Sequence, residues 1–227
     1  MPKTFVLSVG GSLLVTKEGV NLKFLRAFHS FVSAQVKKGN KFYLVVGGGI
    51  TARNYIKAAL AAAPVKAADR DWVGIRATRL NAQLLQVVFG SLAYKDIITN
   101  PYKLIKIKAP VIFSGGYKPG CSTDHVAVLI AKHNKIDTVI NLSNIDYAYD
   151  KDPCHHSDAK KLVNVSWPTF RKIVGSRWQP GLNVPFDPVA SREAAKYKIK
   201  VIILNGQKLK NLSDCLEGQS FKGTTIN

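Results

Sequence analysis

The sequence predicts an α/β fold built on a parallel-rich sheet, and three observations carry that prediction. Short β-rich apolar runs recur at residues 5–9, 42–46, 111–113, 138–142 and 201–204. Helical patterns lie between most of them, and alternation of this kind is how parallel strands are connected. Several runs end in glycine-rich turns, at Gly10-Gly11-Ser12, Gly47-Gly48-Gly49 and Ser114-Gly115-Gly116, and such strand-to-helix junctions gather at the carboxyl edge of a parallel sheet.

Each element has its own signal. Phe5-Val6-Leu7-Ser8-Val9 opens the chain as a strand. The first long helix starts after Asn21 as its cap, aligns Leu25, Phe28, Val32 and Val36 on one face, and stops at Gly39, a normal C-terminal residue. After the strand at 42–46 a second helix runs from about 51 to 63 and ends at Pro64. In the third, Val73, Ala77, Leu80, Leu84 and Val88 follow the three-to-four spacing of a buried helical face. A helix at 124–133 separates the strands at 111–113 and 138–142, and further helices are expected at 168–174, 188–197 and 209–216. No repeat, low-complexity tract or long Pro/Gly/Ser linker interrupts the pattern, so residues 1–227 read as one compact domain.

Hydrophobic residues make up 46% of the chain and charged ones 21%, a globular balance that excludes disorder and a disulfide-stapled miniprotein. The longest apolar runs are too short to span a bilayer. The charge is lopsided, with 33 Lys+Arg against 14 Asp+Glu and a net of +19. Residues 1–113 carry 17 basic and 4 acidic side chains, a net of +13, and residues 114–227 carry 16 and 10, a net of +6. Such an excess has to be weighed against nucleic-acid binding. The basic residues are 25 Lys and 8 Arg, whereas planar recognition of phosphates and bases favours Arg, so dispersed solvated lysines are the expectation rather than a dedicated nucleic-acid role. Cys121, Cys154 and Cys215 are widely spaced without a C-x-x-C, which fits a reducing compartment. The N-terminus runs straight into a strand without the features of a signal peptide, and a cytoplasmic protein with no membrane association is expected.

The glycine turns suggest the chemistry. Glycine lets backbone approach a ligand closely, and a helix that follows points its free N–H groups and positive dipole end at the same spot. Three such loops together suggest a site that holds more than one phosphate. There is no G-x-x-x-x-G-K-[ST], so the P-loop mechanism is excluded. Gly47-Gly48-Gly49-Ile50-Thr51-Ala52 fits the loose dinucleotide pattern, with Asp69 and Asp71 about twenty residues on, but it follows the second strand and leaves the other loops unexplained. Asp71 stands out because no acid occurs between Glu18 and Asp69. It is either a helix-start acid that complements the dipole or a carboxylate that accepts from two adjacent ribose hydroxyls.

In order along the chain come Val9-Gly10-Gly11-Ser12, Val45-Val46-Gly47-Gly48-Gly49 with Ala52-Arg53-Asn54, the Asp71–Ala82 helix, and Gly115-Gly116-Tyr117-Lys118-Pro119-Gly120-Cys121-Ser122-Thr123-Asp124. They are followed by Ser143-Asn144-Ile145-Asp146-Tyr147-Ala148-Tyr149-Asp150-Lys151-Asp152-Pro153, then Phe186-Asp187-Pro188 and Gly223-Thr224-Thr225-Ile226. This series resembles the amino-acid-kinase superfamily, and within it the archaeal-type UMP kinase branch. The resemblance spans essentially the whole chain. It implies a three-layer αβα sandwich with a mostly parallel sheet, and ATP-dependent phosphorylation of UMP to UDP in pyrimidine nucleotide biosynthesis. It implies that Gly11, Ser12, Gly49 and Arg53 hold ATP phosphates and that Ser143, Asn144, Tyr149 and Asp152 surround the adenine nucleotide. Gly48 would take the acceptor phosphate, Asp71 the UMP ribose, and Tyr117, Lys118, Pro119, Gly120, Cys121, Ser122 and Thr123 would wrap UMP. Asp124 matches an acid that orients catalytic lysines. ATP would come with Mg²⁺ bound through its phosphates, no protein metal site is expected, and the resemblance implies a homohexamer.

Two positions depart from the pattern. Many superfamily members carry a lysine two residues before the first glycine pair, where this chain has Ser8, so the principal cation falls to Arg53, with Lys17 and Lys118 as alternatives. Tyr147-Ala148 stands where relatives usually have Gly-Val. The cluster Asp152-Pro153-Cys154-His155-His156-Ser157-Asp158 lacks the second ligand pair of a structural zinc motif and reads as an exposed loop. Trp72, Trp167 and Trp178 read as core or interface aromatics, since no basic residues interleave with them. Two other functions stay open: a related small-molecule kinase with a different acceptor, and a weakly catalytic nucleotide- or RNA-binding protein.

Overall fold

The structure is a computed structural model that describes residues 2–103, 107–177 and 184–227; Trp178 lies outside the described residues. The chain begins with β1 (Thr4–Val9), the short helix α1 (Gly11–Leu14), a small hairpin of β2 (Val15–Thr16) and β3 (Gly19–Val20), and α2 (Leu22–Lys37). It continues through β4 (Lys41–Val46), α3 (Gly49–Ala62), α4 (Ala67–Phe89), β5 (Val111–Ser114), α5 (Thr123–His133) and β6 (Thr138–Ser143). The last third holds β7 (Ala148–Tyr149), β8 (Lys161–Leu162), β9 (Asn164–Val165), α6 (Trp167–Val174), α7 (Pro188–Lys196), β10 (Lys200–Asn205), α8 (Leu209–Glu217) and β11 (Thr224–Ile226).

Seven strands form one sheet in the order β5-β4-β1-β6-β10-β11-β9. The first five are mutually parallel, and among the described residues of this sheet only the β10–β11 pairing is antiparallel. A parallel sheet is covered on both faces, so its strands are apolar throughout. Val6, Tyr43, Val45, Ile112, Val139, Val201 and Ile203 point into one core with α5, α6 and α7. Leu7, Val9, Phe42, Leu44, Phe113, Ile140 and Leu204 point into the other with α1, α2, α4 and α8. The result is the expected three-layer arrangement.

The capping signals hold where they were specific. Asn21 accepts from Phe24 N at 3.1 Å at the start of α2, and Gly39 follows its end with a φ of +88°. Asp187 caps α7 by accepting from Ala190 N at 2.6 Å. The expected buried face of α4 is rotated. Leu80 is 62% exposed, and the inward positions are Ile75, Ala77, Thr78, Asn81, Ala82, Leu85, Gln86 and Phe89. Three inward residues are polar, so apolar spacing alone selects the wrong stripe. Trp167 lies in the core, but Trp72 is 41% exposed, with the Arg76 guanidinium 5.9 Å from its ring. Cys154, His155 and His156 form an exposed loop, as expected.

Candidate active site

The carboxyl ends of β1, β4, β5 and β6 arrive side by side, and their loops are laced by backbone. Gly10 N donates to Leu142 O at 2.9 Å and Gly47 N to Val9 O at 2.8 Å. A Cβ added to Gly11 would lie 2.4 Å from both Gly47 O and Gly49 N, and one on Gly49, whose φ is +56°, would lie 2.4 Å from Gly11 C. The two loops therefore touch main chain to main chain, which only glycine permits. From Gly49 the chain turns into α3 with no side-chain cap, so its first N–H groups and dipole end are free for an anion.

Helix α4 ties this pair of loops to the third. Asn81 Nδ2 donates to Gly47 O at 2.9 Å and to Gly48 O at 3.2 Å. Thr78 Oγ1 accepts from Gly116 N and donates to Ile75 O, both at 2.6 Å. Arg79 donates through Nε to Gly116 O at 3.1 Å and through Nη2 to Tyr117 O at 3.2 Å. At the other end of the loop, Asp71 Oδ2 accepts from Gly120 N at 2.8 Å. Four side chains of one helix thus fix the spacing between loops that come from different strands.

Together these loops enclose a cavity of about 410 Å³. The expected Gly11, Ser12, Gly48, Gly49, Arg53, Asp71, Lys118, Cys121, Ser122, Thr123, Asp124 and Ser143 all border it. Tyr117, Pro119, Gly120, Asn144, Tyr149 and Asp152 do not. Tyr117 turns its ring toward Tyr102, 5.9 Å between centroids, and Gly120 is engaged by Asp71 as above. Asn144 and Asp152 are exposed, and Asp152 Oδ1 accepts from Cys154 N at 2.9 Å. Tyr149 sits in β7, whose Ala148 N donates to Thr224 Oγ1 at 2.8 Å. Tyr147 is half-buried with Lys161 Nζ 5.3 Å from its ring centre, and it does not border the cavity.

Of the proposed cations, Arg53 and Lys118 border the cavity and Lys17 does not. Sequence reasoning missed Arg70, which borders it beside Asp71 and whose Nε is buried without a hydrogen-bond partner. It also missed Asn141, a buried residue that donates to Pro185 O at 3.2 Å and borders the cavity from β6. The adjacent Arg70-Asp71 pair was the available signal for the first; a single polar residue in an apolar strand was the signal for the second.

Asp124 lies in the first turn of α5 behind the Ser122 cap, which accepts from His125 N at 3.1 Å. Ser8 Oγ donates to Asp124 Oδ1 at 2.9 Å and Asp187 N donates to Oδ2 at 3.3 Å. Loss of hydration pushes the Asp124 carboxyl up to about 6; the Ser8 hydrogen bond opposes the rise and the Asp187 carboxylate adds to it. Ser8 is thus a neutral donor at the cavity, and Arg53, Arg70 and Lys118 are cations that border it. Desolvation pushes the Cys121 thiol up to about 12, which keeps it in the thiol rather than the thiolate form.

The amino acid kinase family profile matches residues 3–205. The chain belongs to this family. This amino acid kinase is 32% identical over 225 residues to the uridylate kinase of Methanococcus aeolicus, covering 98% of each, and 33% identical over 220 residues to that of Sulfurisphaera tokodaii, covering 95% of this chain and 96% of the other. The crystal structure of uridylate kinase from Archaeoglobus fulgidus superposes over the full length of both chains with a TM-score of 0.83 at 34% identity. The UMP kinase of Bacillus anthracis, 19% identical with a TM-score of 0.76, shares the fold.

Proposed function

We propose that this amino acid kinase transfers the γ-phosphoryl group of ATP to UMP, giving UDP and ADP. The observation that carries the reading is one cavity bordered at once by two touching glycine loops and by Asp71 with the loop it holds. Full-length likeness to uridylate kinases supports the choice of acceptor. The chain works as a single domain, its N-terminal part holding mainly UMP and its C-terminal part mainly ATP.

Phosphoryl transfer needs in-line placement of donor and acceptor and stabilisation of charge on the moving group, with little covalent participation by the protein. Gly11, Ser12 and Gly49 present main-chain donors to ATP phosphates, and Gly48 to the phosphate of UMP. Arg53, one turn into α3, and Arg70 and Lys118 on the acceptor side supply the positive charge that Ser8 does not. Asp71 keeps one carboxylate oxygen for a ribose hydroxyl. No general base is required, because the phosphate of UMP is already an anionic nucleophile.

The donor set also fits a magnesium ion carried by the nucleotide. Such an ion is held by phosphates and water with one or two carboxylates, and Asp124 is the carboxylate of α5 that borders the cavity. When bound, the ion neutralises phosphate charge. Among the described residues no cluster of three or more His, Cys, Asp or Glu side chains could hold a metal on its own.

The protein acts as a homo-oligomer, supported by an apolar stripe on α4: Trp72, Leu80 and Val87 are 41%, 62% and 71% exposed, seven or eight residues apart. Among the described residues no helix is long and apolar enough to cross a membrane. A coupled assay of ADP release from MgATP with UMP, with CMP and with no acceptor tests the reading. Turnover with UMP alone is expected; equal turnover with CMP would transfer the function to another acceptor, and none with either would remove it.

A further inference from the structure

The five parallel strands end at the candidate active site and start along the opposite edge of the sheet. Lys3 precedes β1, Lys41 opens β4, Lys108 lies just ahead of β5, Lys135 just ahead of β6, and Lys200 opens β10. The strand order sets these starts side by side. Lys41 N donates to Lys3 O at 2.9 Å, Phe42 N to Pro110 O at 2.8 Å and Lys200 N to Asp137 O at 2.8 Å. With about 4.8 Å between neighbouring strands, the five starts span roughly 19 Å. The helices that return to this edge bring Lys37 and Lys38 from α2, Lys132 from α5, and Lys196 and Lys198 from α7.

Ten of the 25 lysines therefore border one edge. The acids described at the same turns and helix ends are Asp137, Glu193, Asp214 and Glu217; Glu217 is paired with Lys38 at 3.0 Å and Asp214 with Lys210, while Lys41 Nζ donates to Ile107 O. Helix dipoles favour cations at helix C-termini, which accounts for the returning helices but not for the strand starts. Lys135 and Lys198 hold φ of 55° and 53°, a left-handed conformation that glycine or asparagine adopts more readily. Lys198 and Lys200 also line a second cavity, of about 290 Å³, with Asp137, Trp167, Ala195 and Asn227.

We propose that this edge binds a nucleic-acid double helix through its phosphates, without reading sequence, as an activity separate from phosphoryl transfer. Lysine offers point charges rather than the planar fork of arginine, which suits backbone contact without base readout. Binding of a single strand relies on aromatic platforms. Here Tyr197 carries Lys132 Nζ 3.8 Å and Lys196 Nζ 5.4 Å from its ring centre, and Trp167 is buried. A row of roughly 19 Å spans about five phosphates of one duplex strand at about 3.4 Å each.

The test is a titration of a labelled 20-base-pair DNA duplex of arbitrary sequence with the whole protein, read by fluorescence anisotropy at several salt concentrations. We expect log K to fall against log[salt] with a slope of about −4. The triple K135E/K198E/K200E should weaken binding at least tenfold and flatten the slope by between about 2 and 3, and the neutral K135Q/K198Q/K200Q should move both the same way. A control with the same charge change at exposed lysines elsewhere, K23E/K66E/K160E, should weaken binding less than threefold. ADP formation from MgATP and UMP should stay within twofold in the edge triples, so the duplex measurement stands whether or not the kinase reading does. No duplex binding at low salt, equal loss in edge and control triples, or preference for a single strand or for anionic phospholipid vesicles would each overturn the proposal.

Discussion

Asp124 carries an energetic cost that its surroundings make visible. Its carboxyl titrates near 6 in the folded chain against an ordinary 3.8. Between those values the folded state holds a proton that the unfolded state has released, so stability falls as pH rises from about 4 to about 6 and stays lower above. Asp124→Asn cannot ionise, and it should raise Tm at pH 8 while leaving it unchanged near pH 4, as read by scanning fluorimetry. The same variant should lose at least tenfold in kcat, the usual exchange of function for stability at a strained site. An equal Tm shift at both pH values would show that the carboxyl is not desolvated. Asp71 and Arg70 predict a different signature. Asp71→Asn keeps an oxygen for Gly120 N but loses the charge that the proposed site offers to ribose, so the KM for UMP should rise about tenfold, the scale of one charged hydrogen bond. Asp71→Ala should raise it further, and Arg70→Met should act in the same direction, with the KM for ATP unmoved in all three. The glycine loops were legible in the sequence because glycine at a strand-to-helix turn has few other uses. Arg70, Thr78 and Asn141 were not, because the direction a lone polar side chain takes is set by tertiary packing.

At the scale of the element, α4 has two faces with different work. Its inward polar residues hold the loops, and its outward apolar stripe is free for a partner. A periodic pattern cannot tell an apolar stripe that enters the core from one that stays outside, which is why apolar spacing alone points Leu80 inward. The paired strands β7–β8 and the β9–β11 edge were illegible for a simpler reason: two or three residues give no period. The roles of the inward residues can be separated by kinetics. Thr78→Val removes the acceptor for Gly116 N at nearly constant volume, and it should raise the KM for UMP with little change in kcat. Asn81→Ala strips two carbonyls of the Gly47–Gly49 loop, costing about 1–3 kcal/mol of stability, and it should raise the KM for both nucleotides and lower kcat. If both variants changed only Tm, the helix would be scaffold and nothing more.

Across the whole molecule, the strand order separates two chemistries. One edge of the sheet collects glycine turns and helix N-termini, the other collects lysines, and the core lies between them. The alternation of strands and helices was legible because both faces of a parallel sheet must be covered. The placement of charge was not, since the lysines are scattered in sequence and meet only through the strand order. If the α4 stripe is a contact between copies, Leu80→Glu with Val87→Glu should lower the sedimenting mass while the isolated chain keeps its circular dichroism. An unchanged mass would assign the stripe to no partner.

The main-chain contact between Gly11 and Gly49 also decides how this site can be altered. Neither position can accept a Cβ without moving the backbone of the other, so both glycine loops are closed to stepwise side-chain change at these positions. On the proposed reading, variation in acceptor preference enters most readily through residues 117–121, which are held by hydrogen bonds rather than by steric exclusion. A saturation library over both regions should return intolerance at 11 and 49 and a graded response at 118 and 121. On that reading the donor side of the reaction is fixed by shape, and the acceptor side is the part that selection or an engineer can retune.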